Sequence, residues 1–186
     1  MPLPHSPGRR DLLKKGLLGG ALLAVAGPLA LLSRSGVFSA QPRQPLRSLT
    51  PAEYAIFAAV AARLSPGDDA KATAWPSTAA LDVAGKLDAL LARLHPAAIK
   101  DFRQLLHVFE NALTGLASAG VPRTFTRSSP AEQDARLEAW RHSRVALFRS
   151  GYQAMKRLGH AIYFSSPETY AHFGYPGPPV VEQGPA

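Results

Sequence analysis

The chain has 186 residues, of which 46% are hydrophobic, so we expect one domain with a sizeable core. It has no cysteine, which excludes disulfides, cysteine-ligated zinc, an iron–sulfur cluster held by this chain and covalent haem attachment. The formal net charge is +8, but residues 1–40 hold five basic residues against one Asp, so the remainder carries only +4. That remainder lacks the basic stripe with stacking aromatics that nucleic-acid binding requires.

The first forty residues have the layout of an export signal. A basic pair precedes an uncharged stretch, residues 16–32, which several glycines interrupt. This layout resembles the twin-arginine signal, which the twin-arginine translocase reads and which exports proteins already folded. We predict such a signal peptide over residues 1–40, with cleavage close to its end; an uncut membrane anchor is the alternative, because about seventeen apolar residues could just span a bilayer. The signal residues are Arg9, Arg10, Leu12, Leu13 and Lys14.

Residues 41–49 have little periodicity and several prolines, so they indicate an extended linker. A capping box formed by Thr50 and Glu53 then predicts the first helix, which Ser65-Pro66 ends. The following loop carries Trp75, which could be either a lid on the helices or an exposed anchor for a partner.

The next segments continue the helical pattern. Ser77 predicts the cap of a second helix, which His95-Pro96 breaks. A third apolar stripe runs without interruption past Leu113 to Leu116 and ends at Gly120, which predicts one long helix at the centre of the bundle.

A second capping box, with Pro130 at its first helical position, predicts a short fourth helix, and a last long stripe runs from Val145 to Ile162. No stretch alternates with period two, so a sheet is not indicated. We predict an all-α fold: an irregular bundle of about five helices with a Pro/Gly-rich C-terminal tail.

The C-terminal segment carries the most distinctive pattern in the chain. Ser166 and Pro167 predict the start of a short helix, and Gly174 can take the left-handed conformation that ends it. Tyr163 and Phe173 suit the chain's own core as well as a docking surface. Aromatics beside a rigid Pro/Gly segment favour docking, because Tyr loses little side-chain freedom on burial. Together with Trp75, the predicted partner-binding residues are Tyr163, Tyr170, Gly174, Tyr175, Pro176 and Gly177.

The run Tyr163-Phe164-Ser165-Ser166-Pro167, with Gly-Tyr-Pro-Gly-Pro from Gly174 onwards, resembles the C-terminal signature of the gluconate 2-dehydrogenase subunit 3 family. The usual signature has two Tyr before the Ser, where this chain has Tyr163-Phe164. The similarity extends back to about Leu49, which gives a helical small-subunit domain over residues 50–179 and a tail over residues 180–186.

The resemblance implies a non-catalytic small subunit of a periplasmic flavin-dependent dehydrogenase that oxidises an alcohol, a sugar or a sugar acid. Its partner would be a large FAD-containing subunit of the glucose–methanol–choline oxidoreductase (GMC) type, often joined by a multihaem cytochrome c subunit. The small subunit would assist folding of the large one and carry its export signal. The expected location is the periplasm, peripheral to the inner membrane through the complex.

The residues themselves point to no catalytic chemistry. There is no Gly-x-Gly-x-x-Gly, P-loop, His-Glu-x-x-His or nucleophile elbow, so we expect no cofactor and no metal in this chain. A stand-alone periplasmic enzyme would need His142, His160 and His172 as metal or haem ligands, but their spacing does not favour that. A membrane-tethered periplasmic adaptor unrelated to a dehydrogenase is the other alternative.

Overall fold

The structure, a computed structural model, describes residues 40–68 and 74–178. The export-signal residues Arg9, Arg10, Leu12, Leu13 and Lys14 and the tail at 180–186 lie outside these residues. The described residues contain α-helices and short 3-10 helices and no strand, which confirms the all-α prediction. The α-helices are α1 (Pro51–Leu64), α2 (Val83–Leu91), α3 (Pro96–Glu110), α4 (Ala112–Ala119), α5 (Pro130–Arg141) and α6 (Ala146–Phe164). The 3-10 helices are Pro66–Asp68, Phe125–Arg127 and Pro167–Phe173.

Helix α1 forms the centre of the bundle. It packs against α2, α3, α5 and α6, and Phe57 and Val60 on it are fully buried. Its many alanines let neighbouring helices approach from several sides, so it is buried around most of its circumference. Helix α3 buries a single stripe instead, and the prediction that the third helix occupies the centre is therefore wrong.

The predicted third helix is in fact two helices, divided at Asn111. The Asn111 side chain accepts a hydrogen bond from the Leu113 backbone N–H (2.8 Å) and so begins α4. The change of direction turns Leu113 and Leu116 outward, where they are 54% and 50% exposed. The apolar spacing therefore continues into α4, although Leu113 and Leu116 no longer face the core.

Two predicted helix starts are confirmed and one is displaced. Both capping boxes form, at Thr50 and at Ser129. Helix α2, however, begins at Val83 rather than after Ser77, because Asp82 adopts a left-handed conformation (φ 49°) and caps it through a hydrogen bond from the Gly85 N–H. The Ser77 hydroxyl caps an earlier turn through the Ala80 N–H (3.0 Å).

Residues 41–49 have no regular secondary structure, but they are fastened to the bundle. The Asp88 carboxylate on α2 accepts three backbone N–H bonds, from Arg47, Ser48 and Leu49, at 2.7–2.8 Å. The Leu49 side chain is buried in the core. The segment predicted as an extended linker is therefore attached to the helical domain. Within the described residues, no helix is both long enough and apolar enough to cross a membrane.

Candidate partner-binding site

The C-terminal turn that follows α6 is held by a few specific bonds. It is a 3-10 helix, Pro167–Phe173, with Pro in its first turn. Gly174 ends it in the left-handed conformation (φ 69°), as predicted, and the Tyr175 N–H donates to the Tyr170 carbonyl (3.0 Å). Thr169 is fully buried, and its hydroxyl donates to the Ser166 carbonyl (2.7 Å), which fixes the turn against the end of α6.

Ser166 does not cap this turn through its side chain, which corrects the predicted role. Its buried hydroxyl donates to the Ile162 carbonyl (3.0 Å) and accepts a bond from the Lys86 ammonium (2.9 Å). The cation therefore ties α2 to the C-terminal turn, a link between residues eighty positions apart.

The side chains around the turn assemble into one cluster of rings, here called the aromatic patch. Trp75 stacks on His172 with 4.8 Å between ring centroids, and Tyr170 meets Tyr175 edge-on at 5.0 Å. Phe173 stacks parallel to Tyr175, with an angle of 12° between the ring planes. The patch consists of Trp75, Phe164, Tyr170, His172, Phe173 and Tyr175.

Three rings of the patch are open to solvent: Phe173 is 47% exposed, Tyr175 is 41% exposed, and His172 is exposed as well. The Tyr170 hydroxyl donates to the Ser165 carbonyl (2.9 Å), which holds the Tyr170 ring in place. The patch therefore offers apolar surface on a fixed base.

Tyr163 lies under this patch rather than on it. Its side chain is fully buried, and its hydroxyl donates to the Pro76 carbonyl (2.7 Å). Burial raises the pKa of this hydroxyl. In the folded chain Tyr163 has no surface to offer, so its predicted contact with a partner is replaced by a packing role. It connects the end of α6 to the segment that carries Trp75.

Trp75 is half-buried and covers Tyr163 and Phe164, with centroid distances of 6.4 and 6.1 Å. This is the lid alternative of the sequence analysis, and its role as a partner anchor stays a prediction. Gly174, Tyr175 and Pro176 are exposed, and Gly177 (φ 101°) lies close to the Tyr170 ring.

The histidines considered as ligands have ordinary partners. His160 donates to the Leu64 carbonyl (2.9 Å), His142 pairs with Glu138 (2.7 Å), and His172 stacks on Trp75. Within residues 40–68 and 74–178, no three His, Cys, Asp or Glu side chains form a group that could hold a metal ion.

A groove of about 430 Å³ runs beside α1; none of its lining residues belongs to the patch, and alanine is the commonest of them. Its polar groups already bond to the protein: the Tyr54 hydroxyl donates to Asp82 (3.0 Å), and Asp68 accepts from the Thr78 N–H (2.9 Å). Burial, together with the carboxylate of Asp82, raises the pKa of Tyr54 to about 12. This arrangement has neither a nucleophile next to a base nor a poised acid–base pair.

Besides Asp88, two charged side chains are buried in a way that was not anticipated from the sequence. Glu53 is fully buried and accepts bonds from Arg103 (2.9 Å) and His107 (2.8 Å) on α3. Burial alone would raise the pKa of Glu53, but these bonds and that of the Thr50 N–H lower it to about 2. The spacing of Arg103 and His107, one helical turn apart, was visible, but nothing in the sequence linked them to a residue fifty positions earlier.

Arg136 on α5 is the second buried charge, with no exposed surface. Its guanidinium donates to the carbonyls of Phe109 (3.2 Å) and Arg123 (2.5 Å), and so satisfies the backbone at the end of α3 where the chain breaks. Burial lowers the pKa of Arg136, against the attraction of Glu110. Both charged clusters hold helices together and lie apart from the patch.

A family model described as gluconate 2-dehydrogenase subunit 3 matches residues 51–177. The chain belongs to the gluconate 2-dehydrogenase subunit 3 family. The match begins at the first residue of α1 and ends at Gly177, so it includes the whole aromatic patch. The family is that of a dehydrogenase subunit, which implies a dehydrogenase partner. No curated protein and no solved structure compared with the chain matches it.

Proposed function

We propose that this chain is a non-catalytic small subunit of a periplasmic flavin-dependent dehydrogenase and that it binds the large FAD-containing subunit through the aromatic patch. The partner is of the GMC type and oxidises an alcohol, a sugar or a sugar acid. A multihaem cytochrome c subunit completes the complex as its electron acceptor. Membership of the gluconate 2-dehydrogenase subunit 3 family supports the dehydrogenase partner.

The exposure of Phe173 and Tyr175 on a rigid base is the observation that supports the aromatic patch as the binding surface. Large rings in water lose about 25 cal/mol of stabilisation for each Å² of apolar surface left uncovered. The turn beneath them is fixed by Gly174 and by the Tyr170 hydroxyl bond, so little freedom remains to be lost when a partner covers the rings. Aromatic residues, Phe included, are enriched in protein interfaces, and Tyr is enriched in binding hot spots.

The proposed export role follows from the N-terminal sequence. A flavin is inserted in the cytoplasm, and a route for folded proteins keeps it bound during export. The Arg9-Arg10 signal on a chain that itself has no cofactor motif suits co-export of a folded, FAD-loaded partner. In this proposal the small subunit supports folding of the large one and supplies the export signal for both.

The test is co-purification of the large FAD-containing dehydrogenase from the same organism with variants of this chain. Phe173→Ala and Tyr175→Ala should each weaken the complex by more than about 1 kcal/mol and leave the helical circular dichroism of the isolated chain unchanged. The matched control is Leu113→Ala, which removes a side chain of similar exposure on α4. Equal retention of the large subunit by all three variants would move the partner surface elsewhere.

The same preparations test the non-catalytic role. The isolated chain should contain no flavin, haem or stoichiometric metal, and flavin should appear only in fractions that contain the large subunit. Stoichiometric metal or a visible chromophore in the isolated chain would contradict the proposal and favour the histidine-based enzyme.

A further inference from the structure

Helix α6 is entirely without acidic residues. Its nineteen residues include Arg149, Lys156 and Arg157 but no Asp or Glu. In the printed sequence the acid-free stretch is longer, since no carboxylate side chain occurs between Glu138 and Glu168. Every other described α-helix that carries a basic residue also carries an acidic one, so this concentration of one sign sets α6 apart from them.

The three cations lie on the outward side of α6. At about 100° of rotation per residue, they fall within an arc of roughly 100° that also includes Phe164. The opposite side is buried, with Met155 and Ile162 facing the core. We call Arg149, Lys156 and Arg157 the basic face.

The basic face runs directly into the aromatic patch. Arg157 precedes Phe164 by two turns, about 10 Å along the helix axis. His160 lies between them, and its ring meets that of Phe164 at 5.5 Å. Cations and exposed rings therefore form one continuous surface along the last two turns of α6 and the C-terminal turn.

Two of these charges are unused within the chain. Among the described residues, Lys156 and Arg157 form no ion pair and no side-chain hydrogen bond, whereas Arg149 donates to the Ser143 carbonyl (2.6 Å). Two cations without a partner beside a hydrophobic patch are stabilised when an acidic surface covers both.

We propose that the large subunit presents an acidic surface that covers the basic face together with the aromatic patch; this inference rests on the proposed function. The rings supply the centre of the interface, and Lys156 and Arg157 lie at its rim, where charges chiefly raise the association rate and set the salt dependence. An anionic lipid surface fits less well. A helix that binds a lipid surface inserts a long apolar face of its own, whereas most of the apolar side of α6 is buried in the bundle.

The experiment measures binding of the full chain to the large FAD-containing subunit over a series of salt concentrations. The variant Lys156→Gln with Arg157→Gln should weaken binding at low salt by about fivefold and reduce the slope of affinity against salt. Charge reversal to Glu at both positions should weaken it further. The matched control is Arg93→Gln with Lys100→Gln, which removes the same charge from exposed positions near α2 and α3 and should leave the salt slope unchanged.

Three results would overturn the inference. If wild-type chain binds but the Lys156/Arg157 variant and the Arg93/Lys100 control lose affinity equally, only net charge matters and the basic face has no special role. The proposed function then survives. If the α6 variant loses binding to phosphatidylglycerol vesicles but keeps its affinity for the large subunit, the face is a lipid surface. If wild-type chain does not bind the large subunit at any salt concentration, the proposed function fails as well.

Discussion

Replacement of Gly115 by Ala should be one of the most damaging small substitutions in the chain. Gly115 is buried on α4 against the Arg136 guanidinium. A Cβ at this position would lie 2.5 Å from the Arg136 Cζ and 2.7 Å from the Val121 carbonyl oxygen, which no real contact tolerates. The guanidinium is held in place, because it is fully buried and bonded to three backbone carbonyls.

The magnitude follows from two opposing effects. In an open helix, Gly→Ala stabilises by roughly 0.5–1 kcal/mol. Here the extra methyl adds overpacking of about 1–3 kcal/mol, and displacement of Arg136 leaves at least one buried carbonyl unpaired for about 1–3 kcal/mol more. We expect a net loss of about 1–5 kcal/mol in the free energy of unfolding.

The assay is urea denaturation followed by far-ultraviolet circular dichroism, with Gly120→Ala as the matched control. Gly120 ends the same helix in the left-handed conformation with open space around it, so its replacement should cost only about 1–2 kcal/mol. In the double variant Gly115→Ala with Arg136→Met, the loss of stability should be smaller than the sum of the losses in the two single variants, because both substitutions act on one contact. A Gly115→Ala protein as stable as wild type would refute the account of the helix break.

Three further predictions follow from the ends of the elements and from the leader. Gly174→Val forces a β-branched residue into a left-handed position and should lower the free energy of unfolding by about 1–2 kcal/mol, which a lower melting temperature would show. An unchanged melting temperature would mean that the turn does not depend on that conformation. The carboxyl of Glu53 has its pKa lowered from 4.5 to about 2, so the stability that it contributes, roughly 3 kcal/mol, is present above pH 4.5 and is lost as the pH falls towards 2. Melting temperatures across that range should fall more steeply for wild type than for Glu53→Gln. Replacement of Arg9 and Arg10 by Lys should block export, as measured by cell fractionation, because the translocase reads the guanidinium pair; normal export would contradict the signal assignment.

Local rules in the sequence were enough to predict the helix ends that depend only on nearby residues. Thr50 with Glu53 and Ser129 with Glu132 are three residues apart, and each pair forms the expected capping box. Gly174 ends the last turn because a residue without a Cβ takes the left-handed conformation at no steric cost. Such features require no knowledge of distant parts of the chain.

The break at Asn111 could not be predicted in the same way. The apolar spacing continues through Leu113 and Leu116, so periodicity alone favours one long helix. The break is stabilised from elsewhere, by the Arg136 guanidinium that caps the Phe109 carbonyl. Asp88 is a similar case: its three bonds to residues 47–49 attach a segment that composition describes as a linker.

Part of the candidate site could be predicted from the sequence. The Pro and Gly residues near the C-terminus identified the correct segment, and Tyr170, Tyr175 and Trp75 do lie together. Tyr163 is buried because residues 160–164 form the end of α6, and Tyr163 lies on the side of that helix that faces the core. Phe164 and His172 were missed, since their contacts with Trp75 join residues about ninety positions apart.

The base of the aromatic patch comes from segments distant in sequence, and this bears on how a partner would bind. Lys86 bonds to Ser166, and the Tyr163 hydroxyl bonds to Pro76, so the turn beneath Phe173 and Tyr175 is held by α2 and by the loop before it. A surface ordered in this way loses little conformational entropy on binding, which leaves more of the burial energy for affinity. Substitutions at Lys86 should therefore weaken partner binding, because they loosen the base of the patch and increase the conformational entropy that its rings lose on binding.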